Sequence, residues 1–209
     1  MTIKLGLSVD WDFFLSDPPS DAHDCLAFDV AAWSLRDTPQ KLDPAAAGFW
    51  KEPFRLPRAG LVARSHVDAL PYFVGCDIIL NCDAHSDAYG IPREHPHQFT
   101  CANWTLGVPA VVIHCPAPRY LSDAYKLVRD ETGQRRLDVD RLFICRSDPW
   151  SHPCHDQSFS RFLQSCPADL YVTGMADRPR EIQPADAIDL LKGDWSELLK
   201  RTVTFYKIL

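Results

Sequence analysis

Five short apolar runs set the limits on what this chain can fold into: Ile3–Val9, Ile78–Cys82, Ala110–His114, Leu142–Cys145 and Leu170–Thr173. Each has the length and character of a buried strand. Helical patterns fall between them, over Ser122–Arg129, His155–Gln164 and Pro184–Lys192, the last opened by Pro184 and closed by Gly193. Asp194 then reads as the N-cap of a final helix through Leu198 and Leu199. Strands alternating with helices make an α/β domain with a mostly parallel sheet. At 209 residues the expectation is one domain over 1–209, with ample material for a core. The segment Asp17–Arg58 stands apart. It is rich in Pro, Asp and Ala, with scattered aromatics at Phe28, Trp33, Phe49, Trp50 and Phe54. It is expected to carry short helices and to pack over the functional site.

Two of the runs end in carboxylates. Ile78-Ile79-Leu80 leads into Asp83-Ala84-His85-Ser86-Asp87. Alternate residues of an extended segment point the same way, so Asp83, His85 and Asp87 can converge just past the end of the strand. That edge is where open α/β sheets place their chemistry. Two carboxylates and an imidazole are costly to hold together without a neutralising cation. The bland alternative is an acidic turn with a stray histidine. The first run behaves alike: Ile3–Val9 enters Asp10-Trp11-Asp12-Phe13-Phe14. A helix N-cap followed by a solvated turn residue would explain Asp10 and Asp12. Phe13 and Phe14 argue against a solvated loop, because adjacent aromatics seek burial. Lys4 is the one nearby base, on the far side of the strand, which leaves a metal ion as the economical partner. A third element is Ser65-His66-Val67-Asp68-Ala69-Leu70, a capped helix start with His66 in its first turn. A short helix separates it from the main motif, so His66 is expected near a neighbouring strand end.

The bulk numbers exclude several classes. A net charge of −6 without a basic tract disfavours nucleic acid and anionic membranes. No apolar run reaches membrane-spanning length. The N-terminus enters a strand pattern without a basic n-region and h-region, so no signal peptide is expected and a cytoplasmic location is. The eight cysteines then read as free thiols, with Cys76, Cys82, Cys115 and Cys145 acting as small hydrophobes. A zinc site from Cys145, His152, Cys154 and His155 matches no standard spacing.

Asp83-Ala84-His85-Ser86-Asp87 resembles the Asp-Ala-His-x-Asp signature of the arginase/ureohydrolase superfamily, and Ser8-Val9-Asp10-Trp11-Asp12 resembles its Ser-hydrophobic-Asp-x-Asp segment. His66 is similar to the lone histidine ligand upstream of the first motif. The Asp-x-Asp strand comes first here, whereas in ordinary arginases it comes late. The order, with Asn103-Trp104 after the central motif, resembles the peptide arginases of ribosomal-peptide (RiPP) biosynthesis. The resemblance implies a circularly permuted, three-layer α/β/α arginase-like fold and a Mn²⁺-dependent hydrolase that converts peptidyl arginine to ornithine and urea. It assigns one metal to His66, Asp83, Asp87 and Asp10, and the other to His85, Asp83, Asp10 and Asp12, with Asp83 and Asp10 bridging. Carboxylate and imidazole ligands suit two Mn²⁺ ions. Asp87 would also orient the attacking hydroxide. The partner implied is an arginine-containing peptide, since the residues that grip a free amino acid are not found.

The leaving amine needs a proton, for which His97 is the first choice, ahead of His95 and His114. The guanidinium needs a carboxylate, for which Asp29, between Phe28 and Val30, is preferred to Asp24, Glu52 and Asp148. Rival functions are another ureohydrolase or a deacetylase on the same scaffold, a haloacid-dehalogenase-type phosphatase using Asp10-x-Asp12, and a non-catalytic metal-binding module.

Overall fold

The computed structural model describes residues 3–16, 40–51, 53–63, 65–88, 101, 103–147, 151 and 153–172. Among the described residues seven strands form the sheet: β1 (Leu5–Asp10), β2 (Phe54–Arg55), β3 (Ala59–Ala63), β4 (Ile78–Cys82), β5 (Val111–Cys115), β6 (Leu137–Cys145) and β7 (Asp169–Val172). Their order is β5-β4-β1-β6-β3-β7, with β2 beside the start of β6. All strand pairs are parallel. Every carboxyl end therefore faces one edge of the sheet. Strand β1 sits between β4 and β6; the chain leaves β1 towards the β3 side of the sheet and leaves the adjacent β4 towards β5 on the other side. This is the switch-point geometry at which an open α/β sheet has a crevice.

Side-chain alternation sorts β1 into two faces. Leu5, Leu7 and Val9 enter the larger core with Ile78, Leu80, Cys82, Leu142 and Ile144. Helices α2 (Leu121–Thr132) and α3 (Asp156–Ser165) cover that face. Helix α2 offers Leu121, Ala124, Tyr125 and Val128, the i, i+3, i+4, i+7 stripe of an amphipathic helix. Gly133, at φ 69°, closes it in the left-handed conformation that glycine adopts without a Cβ penalty. Helix α3 offers Phe159 and Phe162, which meet Trp11, Phe14, Phe49 and Trp50 in an aromatic cluster. Each fully buried side chain of this kind contributes roughly 1.5–3 kcal/mol relative to exposure.

The other face of β1 carries Gly6, Ser8 and Asp10. A smaller core lies on this side, with Ile79, Phe143 and Cys145 from the sheet, Ala69 and Leu70 from α1 (Ala69–Tyr72), and Phe73 and Trp104. Phe73 lies on Gly6 so closely that a Cβ there would sit 2.7 Å from the ring. Elements on both faces make this a three-layer α/β/α arrangement.

Strand β6 keeps both halves of its length in the first core by a bulge. Leu5 pairs with Val139 but Gly6 pairs with Arg141, leaving Asp140 extra. The Asp140 carboxylate accepts the Leu5 N–H at 2.8 Å, which satisfies the donor displaced by the bulge. Leu137 and Val139 before the bulge, and Leu142 and Ile144 after it, thus share one side.

Differences from the sequence expectation are local. Strands β2 and β3 are additional, β6 starts five residues before Leu142, and β5 is shifted by one residue. The described part of Asp17–Arg58 forms 3₁₀ turns at Pro44–Ala47 and Phe49–Lys51, as short helices were expected. Phe49, Trp50 and Phe54 join the core beneath the Leu5–Val9 face, however, and not the carboxylate side. The expected helices at Pro184–Lys192 and after Asp194 lie outside the described residues.

Candidate metal centre

Three separated segments bring six side chains to the carboxyl edge of the sheet. Asp10 is the last residue of β1, and its carboxylate caps the 3₁₀ turn Trp11–Phe14 by accepting the Asp12 N–H at 3.4 Å. Asp10 thus caps a turn as the bland alternative had it, but Asp12 is not that alternative's solvated turn residue: it is 0% exposed. Asp83 follows β4, with its N–H held by the Cys115 carbonyl of β5 at 3.1 Å. Its Oδ1 accepts the His85 N–H at 2.7 Å, which closes a tight turn around the motif. Ser65 caps the turn His66–Asp68 by accepting the Val67 N–H, as the sequence indicated, and this turn follows the end of β3.

The six groups divide into two halves. His66 Nδ1 lies 3.0 Å from Asp10 Oδ2, 3.0 Å from Asp83 Oδ2 and 3.1 Å from Asp87 Oδ2. His85 Nδ1 lies 3.0 Å from Asp12 Oδ2 and 3.7 Å from Asp83 Oδ1. Asp83 therefore gives one oxygen to each half. Asp10 belongs to the His66 half through Oδ2.

None of the oxygens around His66 Nδ1 is in hydrogen-bonding alignment with it, and neither oxygen of Asp12 receives a hydrogen bond. His66 and Asp83 are each 1% exposed. Buried polar atoms left this way cost on the order of 1–3 kcal/mol each, and more when charged. A cation between the donors removes that cost. These groups can hold a metal ion: Asp12, Asp83 and His85 form one set of converging ligand atoms, and His66, Asp83 and Asp87 another.

The electrostatics of the cluster agree. Burial, then Asp10 and Asp83, push the Asp12 carboxyl up to about 7. Burial and the Asp83 charge push Asp87 well above the usual carboxylate range. Burial alone would lower both imidazoles, but the carboxylates overcome it: His66 is held well above 6.5 and His85 is raised to about 12. Asp83 is also subject to burial, yet the two imidazoles hold it below its ordinary value. Protons and a cation would compete for these atoms.

Neighbours that sequence reasoning left without a role hold the donors in position. Ser8 Oγ lies 2.8 Å from His66 Nε2. With Nε2–H donating there, a cation that displaces the Nδ1 proton would meet the Nδ1 lone pair on the carboxylate side. The His66 ring packs between Trp104, with centroids 5.1 Å apart, and Phe143, at 5.8 Å. Asn81 Nδ2 donates to Asp83 Oδ2 at 3.5 Å. Trp104 Nε1 donates to Asp87 Oδ2 at 2.6 Å, while the N–H and hydroxyl of Thr105 both donate to the Asp87 carbonyl. This clamp holds Asp87 at φ 49°, a left-handed conformation that costs a non-glycine residue about 1–3 kcal/mol. Strand alternation could have found Ser8 and Asn81, each two residues before a carboxylate. Trp104 and Thr105 come from a distant turn and carry no such signal.

Cys145 is the least expected neighbour. It ends β6 beside Asp10, and its Sγ converges with Asp10 and His66. The zinc alternative placed it with Cys154 and His155. Instead, Cys154 is exposed and His155 Nε2 donates to the Gln40 carbonyl at 2.8 Å. His152 lies outside the described residues. His114, a candidate proton shuttle, directs Nε2 at the Asp83 backbone carbonyl at 2.8 Å. A carbonyl only accepts, so Nε2 carries the hydrogen and braces the Asp83 turn. His97, His95, Asp29, Asp24, Glu52 and Asp148 lie outside the described residues. No described helix is long and apolar enough to cross a membrane. Comparison with protein-family models, curated proteins and solved structures gives no match.

Proposed function

We propose that the chain is a binuclear manganese hydrolase that cleaves a guanidinium C–N bond of peptidyl arginine, giving ornithine and urea. The observation that supports this most is the divided Asp83 carboxylate, with Oδ2 at 3.0 Å from His66 Nδ1 and Oδ1 at 3.7 Å from His85 Nδ1. One side chain serving two imidazoles fits a paired centre better than a single structural ion. The donors around the two imidazoles are carboxylates, which suit Mn²⁺. Two such ions, when bound, supply a hydroxide from water at neutral pH.

The chain's own groups supply the remainder. Asp10, Asp83, Asp87 and His66 would hold one cation, and Asp12, Asp83 and His85 the other. Asp87, held by Trp104, would orient the attacking oxygen. Asp29 is proposed to pair with the guanidinium and His97 to protonate the leaving amine. The step from metal centre to ureohydrolase rests on the Asp83–Asp87 and Ser8–Asp12 motifs, as does the permuted arginase-like topology.

The test is incubation of the Mn²⁺-loaded protein with an arginine-containing peptide. Urea release and a peptide mass loss equal to cyanamide are expected. Phosphoester hydrolysis that survives loss of His85 would point to the dehalogenase chemistry instead. Metal binding without hydrolysis of guanidine, amide or phosphate substrates would leave a binding module.

A further inference from the structure

We propose that Cys145, Asp10 and His66 form an alternative cation site, overlapping the His66 half of the centre and selective for thiophilic divalent ions such as Zn²⁺ or Cd²⁺. The inference rests on the metal-centre reading and adds a donor that the arginase-like ligand set does not use. Three observations carry it. The Sγ of Cys145, a carboxylate oxygen of Asp10 and a ring nitrogen of His66 all lie within 4.8 Å of one another. His66 Nδ1, on a side chain 1% exposed, faces Asp10 Oδ2 at 3.0 Å without hydrogen-bonding alignment. The Ser147 N–H donates to Cys145 Sγ at 3.3 Å, from a residue at φ 55°. That N–H favours the anionic form, against burial and the Asp10 charge, which push the thiol well above its ordinary range, so the bound cation itself must displace the thiol proton.

Parallel pairing produces this arrangement. Asp10 and Cys145 are register partners at the ends of β1 and β6, so both side chains emerge on the same face. The bulge at Asp140 sets that parity, since it shifts β6 by one residue relative to β1.

Donor chemistry then separates two classes of ion. A hard, oxygen-seeking ion such as Mn²⁺ gains little from sulfur and uses Asp83 and Asp87. A softer ion forms a bond to Sγ, while the thiol proton passes to solvent. Sulfur, nitrogen and oxygen donors suit tetrahedral Zn²⁺, with bonds of about 2.0–2.3 Å. Because Asp10 and His66 are shared, the softer ion displaces Mn²⁺ from that half.

The experiment is titration of the full chain with Cd²⁺ and, separately, with Mn²⁺, following calorimetric binding and the sulfur-to-metal charge-transfer absorbance. Wild type is expected to show the absorbance and to bind both ions. Cys145→Ser, close to Cys in volume, and Cys145→Ala are expected to lose the component of the band due to this site. The ratio of their Cd²⁺ to Mn²⁺ affinities should fall by at least the roughly 10–100-fold seen when a metal site loses a supporting group. Equal bands and equal ratios in wild type and both variants, with Mn²⁺ still bound, would overturn the role of Cys145 alone. Failure of wild type to bind either ion would remove the metal centre and this site together.

Discussion

Asp83 is the side chain on which the centre turns, because its two oxygens face different imidazoles. Asp83→Ala is expected to lose metal and hydrolysis together, as read by metal content and urea release; a metal-replete, active variant would contradict the bridging role. Trp104→Phe keeps a ring beside His66 but removes the 2.6 Å hydrogen bond to Asp87. Its Mn²⁺ affinity should fall about 10–100-fold, the usual consequence of losing a group that orients a ligand. The pH dependence follows from protons and cations competing for the same atoms. Asp12, raised to about 7, must lose its proton, and His85, raised to about 12, must give up its own. Metal binding therefore releases protons and tightens as pH rises from about 6 to 8. Calorimetry in buffers of different ionisation enthalpy measures that release; affinity falling over this range would reverse the sign. Asp10, Asp12, Asp83, His85 and Asp87 were legible from alternate positions on two strand exits, and His66 from its place in a capped turn before the second of them. Cys145, Trp104 and His114 were not, because their roles arise from strand register and from chain returns of tens of residues.

At the scale of elements, the smaller core couples the sheet to the His66 turn. Gly6 gives up its side chain so that Phe73, just after α1, can lie on β1. Gly6→Ala brings a Cβ to 2.7 Å from that ring and should destabilise the fold by about 1–3 kcal/mol, read by urea denaturation. An unchanged midpoint would mean that the ring yields freely. Strands β1 and β4 were visible as continuous apolar runs because both faces are buried. Strand β3 was hidden by its composition, Ala59-Gly60-Leu61-Val62-Ala63, in which small residues accommodate Leu142 and Leu170 across Gly60. The first half of β6 was hidden because Asp138 and Asp140 interrupt its apolar positions, and the bulge breaks the period-two pattern.

For the whole molecule, the proposed centre joins β1, β4 and the turn after β3, so a bound metal would add to stability. Mn²⁺ at a hundredfold excess over its Kd should add about 2.7 kcal/mol for one site. In a chain of this size that raises the melting temperature by roughly 2–4 °C per kcal/mol. Calorimetric melting with Mn²⁺ and with a chelator measures the difference, and Asp83→Ala should show none. The parallel α/β class was readable from the alternation of elements, while the strand order β5-β4-β1-β6-β3-β7 was not, because order depends on which crossovers cover which face. That order places β1 between its partners and lets carboxylates far apart in the chain meet.

The most direct test is anomalous diffraction at the manganese edge from crystals of the Mn²⁺-loaded protein. Two peaks about 3.5–4 Å apart are expected, one against His66 Nδ1 and one against His85 Nδ1, with Asp83 touching both. A single peak, or peaks away from Asp83, would contradict the paired centre.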